Sequence, residues 1–302
     1  MEKIKVGPEQ DGMRLDQFLV QQLGQSRKKI KQTIDQGKVF MGGRRIIIAS
    51  WKILDGDVVE LREPSEVQLP RRKRYLKVYF EDRDLIVVEK PSGVACERTP
   101  QTLTSTLVDD LNDYLSRAHP ERPFPYLGLM HRLDRETSGL MVYTLSREAN
   151  RLSNDFKRHR IQRRYLALVE GALKQAQGRI DRPVTKDPRS GGRKMRVLEG
   201  AAAKGPGRAV TDFLVKERFQ DATLVEARLL TGRTHQVRAH FSYLGHPIVG
   251  DKLYGSHRNA PRHLLHANYL EFHHPLSGKK LKFHSPLPKD FESVVERMRK
   301  RV

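Results

Sequence analysis

Cysteine is nearly missing from this chain: one residue, Cys96, in 302. A single thiol forms no internal disulfide and heads no multi-cysteine zinc site, so the sequence reads as that of a protein from a reducing, intracellular setting. Long apolar runs are missing too. No stretch of about 18 apolar residues offers a membrane span, and the opening MEKIKVGPEQDGMRLD has no signal-peptide core. Neither a GxGxxG loop nor a Walker loop occurs, which leaves no place for a dinucleotide or a P-loop nucleotide. His235, His240 and His246 lie at spacings of five and six, share no helical face, and have no HExxH or carboxylate set beside them. They are not read as a metal site. No cofactor and no metal are expected, and the chain shows no internal repeats. Negative charge is the last scarcity: 36 acidic residues stand against 57 Lys and Arg, a formal net charge of +21.

That positive excess runs through the whole chain. Such a field attracts polyanions, and RNA or DNA is the expected partner. A basic protein with no such partner, or one on an anionic membrane, are the alternatives. No lysine-rich amphipathic anchor helix supports the membrane version. A monomeric cytoplasmic protein that binds nucleic acid and no membrane is the reading.

At 302 residues there is room for two domains, each with a core. The break is REPSEVQLPRRKRY, where prolines and charges replace periodic apolar residues. It places a small domain at 1–62, an exposed linker at 63–75 and a large domain at 76–302. In the small domain Leu15, Phe18, Leu19 and Leu23 recur at helical spacing up to Gly24. A second helix starts at the cap candidate Ser26, carries Ile30 and Ile34, and stops at Gly37. KVFMGGRRI reads as strand, turn, strand, and DGDVVEL as a turn and a last strand. Arg27, Lys28, Lys29 and Lys31 crowd the second helix's first turns, beside Arg44 and Arg45 of the Gly-Gly turn. Cations at a helix N-terminus oppose the helix dipole, so an RNA phosphate is one reason for them. A solvated basic face is the other.

In the large domain LIVVEKP, LMVYTLS, RRYLALVEG and TLVEARLL read as strands. Leu103, Leu107, Leu111 and Leu115 mark a helix, and Ala149, Leu152 and Phe156 mark another capped by Ser146. The Gly-, Pro- and Arg-rich stretch 185–209 reads as a mobile basic loop or a disordered insertion. Strands and helices alternate irregularly, which fits an α+β domain with a mixed, largely antiparallel sheet flanked by helices and loops.

Three places carry chemistry. In HRLDRETSGL, Asp134 lies on a loop leading into a strand, with Arg132 and Arg135 beside it. An ionised aspartate there can serve as nucleophile or base, although a salt-bridged turn explains the same letters. In LLTGRTHQVRAHFSYLG a strand ends at Gly232, and Val237, His240, Phe241 and Leu244 form a helix face. Arg233 falls at the strand-to-helix turn, where anions are commonly bound. Tyr165, beside Arg163 and Arg164, is either core or a stacking surface for a base. Tyr143 and Tyr254 read as core.

Together these segments resemble the RluA-type pseudouridine synthases. HRLDRETSGL is similar to that family's HRLD-x-x-TSG loop, RRYLALVEG to its tyrosine-bearing strand, and TGRTHQVRAHFSYLGHPIVGDKLYG to its GR-x-HQIR segment, in the family's order across residues 77–296. The run RLDxFL, SR, G-x-V, GD-x-V-x-L over 13–62 resembles the ribosomal-protein S-four-type αL RNA-binding domain. The resemblance implies a pseudouridine synthase fold, no cofactor, and isomerisation of uridine in structured RNA, ribosomal large-subunit RNA first and transfer RNA second. It implies Asp134 as catalytic carboxylate, Arg233 as its ion partner, Tyr165 against the target base, and Arg132 in the gap left by the flipped nucleotide. Glu89 before Lys90-Pro91, and Cys96-Glu97 where the family often has His-Pro, depart from the pattern and put substrate contacts from that edge in doubt. A catalytically silent RNA-binding or ribosome-assembly factor is the alternative. An RNA methyltransferase with the same small domain lacks support, since no glycine-rich cofactor loop is present.

Overall fold

The computed structural model describes residues 2–35, 38–42, 44–46, 49–62, 76–98, 105–121, 126–191, 194–199 and 207–300. Contacts divide the chain into two units, Met1–Lys73 with Glu97–Thr106 and Arg74–Cys96 with Leu107–Val302. The expected linker at 63–75 lies outside the described residues, as do Gly37 and Leu103.

In the smaller unit, β1 (Glu2–Lys5) precedes helices α1 (Leu15–Leu23) and α2 (Arg27–Asp35), followed by β2 (Val39–Met41), β3 (Arg44–Arg45) and β4 (Val58–Leu61). The strands form an antiparallel sheet in the order β1-β4-β2-β3. The spacing seen in the sequence becomes a core: Leu15, Phe18 and Leu19 from α1 meet Ile30 and Ile34 from α2, all fully buried. Each such side chain contributes about 1.5–3 kcal/mol. Asp16 is 3% exposed. It accepts from Arg14 at 2.9 Å and from Arg27 at 3.2 Å, so Arg27 ties α2 to α1. Lys28, Lys29 and Lys31 stay exposed. Arg44 and Arg45 pair with Met41 and Phe40 across the hairpin, and their side chains lie outside the described part of the structure.

The larger unit is built on β5 (Lys77–Glu81), β6 (Leu85–Lys90), α3 (Leu107–Ala118), β7 (Gly128–Leu129), β8 (Ser138–Thr144), α4 (Leu152–Lys157), β9 (Gln162–Glu170), β10 (Gln177–Asp181), β11 (Val184–Lys186), β12 (Met195–Val197), β13 (Val210–Arg218), β14 (Ala222–Leu229), α5 (Gln236–Tyr243), β15 (Leu265–His273), β16 (Lys280–His284) and α6 (Lys289–Arg299). Ten strands make one sheet, ordered β10-β13-β14-β9-β15-β8-β6-β5, with β16 on β15 and β7 on β8. All its pairings are antiparallel except β8 with β15. This is the mixed, largely antiparallel sheet of an α+β domain.

Alternation sorts the strands' side chains. Ile86 and Val88 of β6 face a core shared with α3 and α5, while Leu85 and Val87 face the opposite one with Leu152 of α4. Covered on both faces, β8 is buried along its whole length, which is why SGLMVYT holds no charge. Gly139 sits where β8 meets its parallel neighbour. Its φ is +125°, and a Cβ there would lie 2.3 Å from the Ala267 carbonyl oxygen, so only glycine fits.

The basic stretch 185–209 differs from the expected loop. Its first half completes a hairpin, Val184–Lys186 against Met195–Val197, while residues 192–193 and 200–206 lie outside the described residues. The helix expected at Ala149, Leu152 and Phe156 is a 3-10 turn running into α4, and Ser146 Oγ accepts from the Ala149 amide at 3.2 Å.

Candidate active site

The loop joining β7 to β8 carries Asp134, and nearly every residue around it is tied down. Val142 N donates to His131 Nε2 at 3.2 Å. Leu133 exchanges two hydrogen bonds with Cys96 Sγ, at 3.2 and 3.3 Å. The Glu136 carbonyl accepts from Arg262, Thr137 is bonded to His263 at 2.7 Å, and Ser138 to His266 at 2.9 Å. Cys96, one of the two departures noted in the sequence, is therefore a buried strut behind this loop. Glu89, the other, accepts from Tyr79 and Ser285, each at 2.7 Å, and from Lys77 at 3.0 Å. Burial pushes the Glu89 carboxyl up, yet those donors outweigh it and hold it below the usual range.

Beneath the loop lies Lys90, fully buried. Its three N–H groups are satisfied by the carbonyls of Pro91, Val94 and Arg135, at 2.9, 2.8 and 2.9 Å. Burial pulls this ammonium down to about 8 from 10.5. Between those pH values the unfolded chain keeps a proton that the folded one releases, so the contribution of Lys90 to stability rises with pH across that window. Wild type measured against Lys90→Met should gain up to about 1.4 kcal/mol per pH unit there. Urea unfolding of both proteins at about pH 7.5 and about pH 9.5 checks it, because a constant difference would mean an unshifted lysine.

Asp134 faces an open pocket of about 350 Å³, lined also by Arg132, Leu133, Thr137, Tyr165, Leu229, Arg233, His235, Arg238 and Leu265. Its side chain is 25% exposed. The ion partner differs from expectation: Arg238 Nη1 donates to Asp134 Oδ2 at 2.9 Å. Arg233 reaches only the pocket wall, where its Nε donates to the Arg208 carbonyl at 3.1 Å. The cause is position. Arg233 stands before α5 on the outer turn, whereas Arg238 lies in the helix's first turn and is 6% exposed.

A guanidinium so buried needs compensation, and Asp251 supplies it. Its carboxylate, itself 2% exposed, takes Arg238 Nε and Nη2 at 2.6 and 2.9 Å. The Tyr254 ring lies 4.9 Å from the same guanidinium. Burial alone would ease the proton off Arg238, but Asp251 and then Asp134 outweigh it and hold the group above its ordinary value. Arg238 thus bridges a structural carboxylate and a pocket-facing one. Tyr165, buried on β9, presents its ring to the pocket, and burial raises its hydroxyl above the usual value. Arg132 is exposed at the mouth.

A rim of cations continues outward. A Cβ on Gly232 would meet Arg163 Nη1 at 2.8 Å, so the glycine gives that guanidinium its seat. Arg163 also stacks over Phe156 at 5.7 Å and donates to the Thr231 carbonyl at 3.3 Å. Burial, then the charges of Arg163, Arg233 and Arg208, hold His159 below the ordinary imidazole range. Among the described residues none of these three arginines pairs with a carboxylate. Uncompensated cations beside a concave pocket suit a phosphodiester chain.

His235, His240 and His246 do not converge on an ion: His240 is bonded to Thr211 and the Arg182 carbonyl, and His246 to the Glu170 carbonyl. Asp82, Asp84 and His274 cluster elsewhere. There, His274 Nδ1 accepts from the amides of Leu276 and Ser277, at 3.2 and 3.1 Å. The neutral ring then carries its proton on Nε2, 3.0 Å from Asp82, and has no lone pair for a metal.

Residues 84–243 match the RNA pseudouridylate synthase family, more than half of the chain, and residues 13–59 match the S4 domain. The chain belongs to the RNA pseudouridine synthase family. It is 36% identical over 303 residues to the uncharacterized RNA pseudouridine synthase YlyB of Bacillus subtilis (strain 168), covering 98% of each chain. It is 33% identical over 308 residues to the ribosomal large subunit pseudouridine synthase D of Vibrio vulnificus (strain CMCP6), covering 96% of this chain and 92% of that one. Among solved structures, human RNA pseudouridylate synthase domain containing 1 superposes with a TM-score of 0.59 at 27% identity, over 76% of this chain and 97% of the other. Domain containing 4 gives 0.62 at 24% identity, over 74% and 93%, a likeness of fold. The protein is therefore an RNA pseudouridine synthase, with an RNA-binding S4 domain ahead of its catalytic fold. Of the pseudouridine synthase's pocket, sequence reading singled out Asp134, Tyr165, Arg132 and Arg233 and missed Arg238, and it also missed Asp251 and Lys90, which are buried behind the pocket. The available signal was Gly250-Asp251, a carboxylate next to a glycine in an otherwise apolar and basic segment.

Proposed function

We propose that this synthase converts uridine to pseudouridine in large-subunit ribosomal RNA, with Asp134 as the catalytic carboxylate. The observation that carries it is one carboxylate, locked by Arg238 at 2.9 Å, facing a pocket that Tyr165 lines. The reaction breaks the N1–C1′ bond of uridine, turns the base and joins C5 to C1′; the C5 hydrogen leaves as a proton and N1 takes a proton up. No electrons are gained or lost. An ionised carboxylate serves attack at C1′, addition to the base and abstraction of the C2′ proton alike, and Arg238 keeps it aimed. The base must leave its stack, at a cost of a few kcal/mol. Tyr165 receives it, Arg132 enters the gap, and Arg163, Arg208 and Arg233 take the flanking backbone. Lys28, Lys29 and Lys31 on α2, with Arg27, Arg44 and Arg45, give the smaller unit its hold on phosphates. The enzyme is proposed to act as a monomer, in the cytoplasm.

The substrate rests on the Vibrio vulnificus relative, which is named for the ribosomal large subunit. Tritium release from RNA labelled at uridine C5 tests it, with large-subunit, small-subunit and transfer RNA in parallel. Release is expected from the large-subunit RNA. Release from transfer RNA alone would overturn the substrate, and none from any of the three would overturn the activity.

A further inference from the structure

His235 opens α5 in the left-handed backbone region, at φ 52° and ψ 19°. A residue with a Cβ is strained there, and such strain tends to sit at functional positions. Here the strained backbone turns the imidazole into the pocket beside Asp134. Behind it stands Tyr254, 3% exposed, whose Oη lies 3.1 Å from His235 Nδ1 and whose ring meets the imidazole edge-on at 80°.

The proton positions follow from the partners. The Met195 amide donates to Tyr254 Oη at 2.8 Å, so the hydroxyl accepts there and must place its own proton elsewhere. Among the described residues His235 Nδ1 is the acceptor it meets. Burial pushes the Tyr254 hydroxyl up to about 12, so it keeps that proton through the neutral range. Burial also holds His235 below the ordinary imidazole range; Asp134 and Asp251 pull it up and Arg238 pushes it down. A neutral ring that accepts at Nδ1 carries its hydrogen at Nε2. Nε2 lies 3.7 Å from Asp134 Oδ2, too far for a hydrogen bond. The pocket thus contains an aimed N–H donor with no acceptor at bonding distance among the described residues.

We propose that His235 is a further catalytic residue: its Nε2–H donates to a carbonyl oxygen of the flipped uracil, and Tyr254 and the Met195 amide fix the tautomer that makes this possible. The proposal rests on the uridine reading above. When the N1–C1′ bond breaks heterolytically, its electron pair stays on the base and is shared with the carbonyl oxygens. A donor at one of them stabilises the departing uracil more than the intact nucleoside. No proton is transferred, so the imidazole needs no return step.

Two measurements test it on the full-length protein. Nitrogen-15 NMR of histidine-labelled enzyme reads the tautomer without RNA: wild type should show His235 as Nε2–H, and Tyr254→Phe, which keeps the ring against Arg238, should show a mixture. Single-turnover tritium release from large-subunit ribosomal RNA should fall about 100-fold in His235→Ala and about 10-fold in Tyr254→Phe, with RNA Kd unchanged. His235→Gln, which keeps an N–H at similar reach, should recover part of the rate. An Nδ1–H tautomer in wild type overturns the proposal. So does a loss confined to Kd, or equal rate losses in His235→Ala and His235→Gln. A wild type inactive on all RNA would instead sink the uridine reading and leave the tautomer result standing.

Discussion

Asp134→Asn should release no measurable tritium from uridine-labelled RNA, at least about 10⁴-fold below wild type, while binding that RNA as tightly as wild type. The amide has the carboxylate's shape and keeps the loop, whose restraints come from its neighbours through Lys90, Cys96, Arg262, His263 and His266. Arg238 stays paired with Asp251 and is not left as an isolated buried charge. Stability should therefore change by no more than about 1 kcal/mol. What disappears is the one negative group among the described residues lining the pocket that can attack, add or accept a proton. Single-turnover kinetics and a gel-shift titration separate the two effects. Retained turnover would remove Asp134 from the mechanism, and a lost gel shift would mean the loop had moved.

The second large effect concerns the residue the sequence did not single out. Arg238→Lys should lower kcat about 10²–10³-fold, because an ammonium cannot hold Asp251 through two N–H groups and still reach Asp134 with a third. Unfolding free energy should fall as well, toward the roughly 3–5 kcal/mol seen when a buried ion pair loses one partner. Asp251→Asn attacks the same bridge from behind. It should lower kcat while leaving KM for RNA nearly unchanged, since Asp251 is only 2% exposed and is bonded to Arg238. Arg233→Ala is the contrast: its guanidinium lies on the pocket wall, so its loss should appear in KM and in a shallower salt dependence. Steady-state kinetics of the three variants at two salt concentrations decide between Arg238 and Arg233. A kcat collapse in Arg233→Ala with Arg238→Lys near wild type would reverse the assignment.

Much of this was legible because it rests on local rules. The spacing of Leu15, Phe18, Leu19, Ile30 and Ile34 specifies two helices wherever the chain goes, and those side chains form the smaller unit's core. The uncharged β8 announces a strand covered on both faces. Asp134 was legible for a different reason: alone the carboxylate reads equally as a salt-bridged turn, and the resemblance of HRLDRETSGL and its companion segments to the synthase family singled it out. By contrast, the hairpin at Val184–Lys186 was hidden because its glycine, proline and arginine content resembles that of a free loop.

The sequence by itself determined the fold class and the basic RNA-directed character, which depend on composition and on neighbours a few residues apart, and its resemblance to the synthase family singled out the HRLDRETSGL loop and the candidate aspartate. Tertiary structure alone decided which arginine holds that aspartate. An arginine in a short amphipathic helix reads as solvent-facing, and only the approach of Asp251, thirteen residues on, makes its burial affordable. The same holds for Lys90, whose three carbonyl partners include one from residue 135, and for the proton on His235, which Tyr254 and the Met195 amide set from other parts of the chain. Buried charges and tautomers are settled by partners distant in sequence, and spacing carries no trace of them.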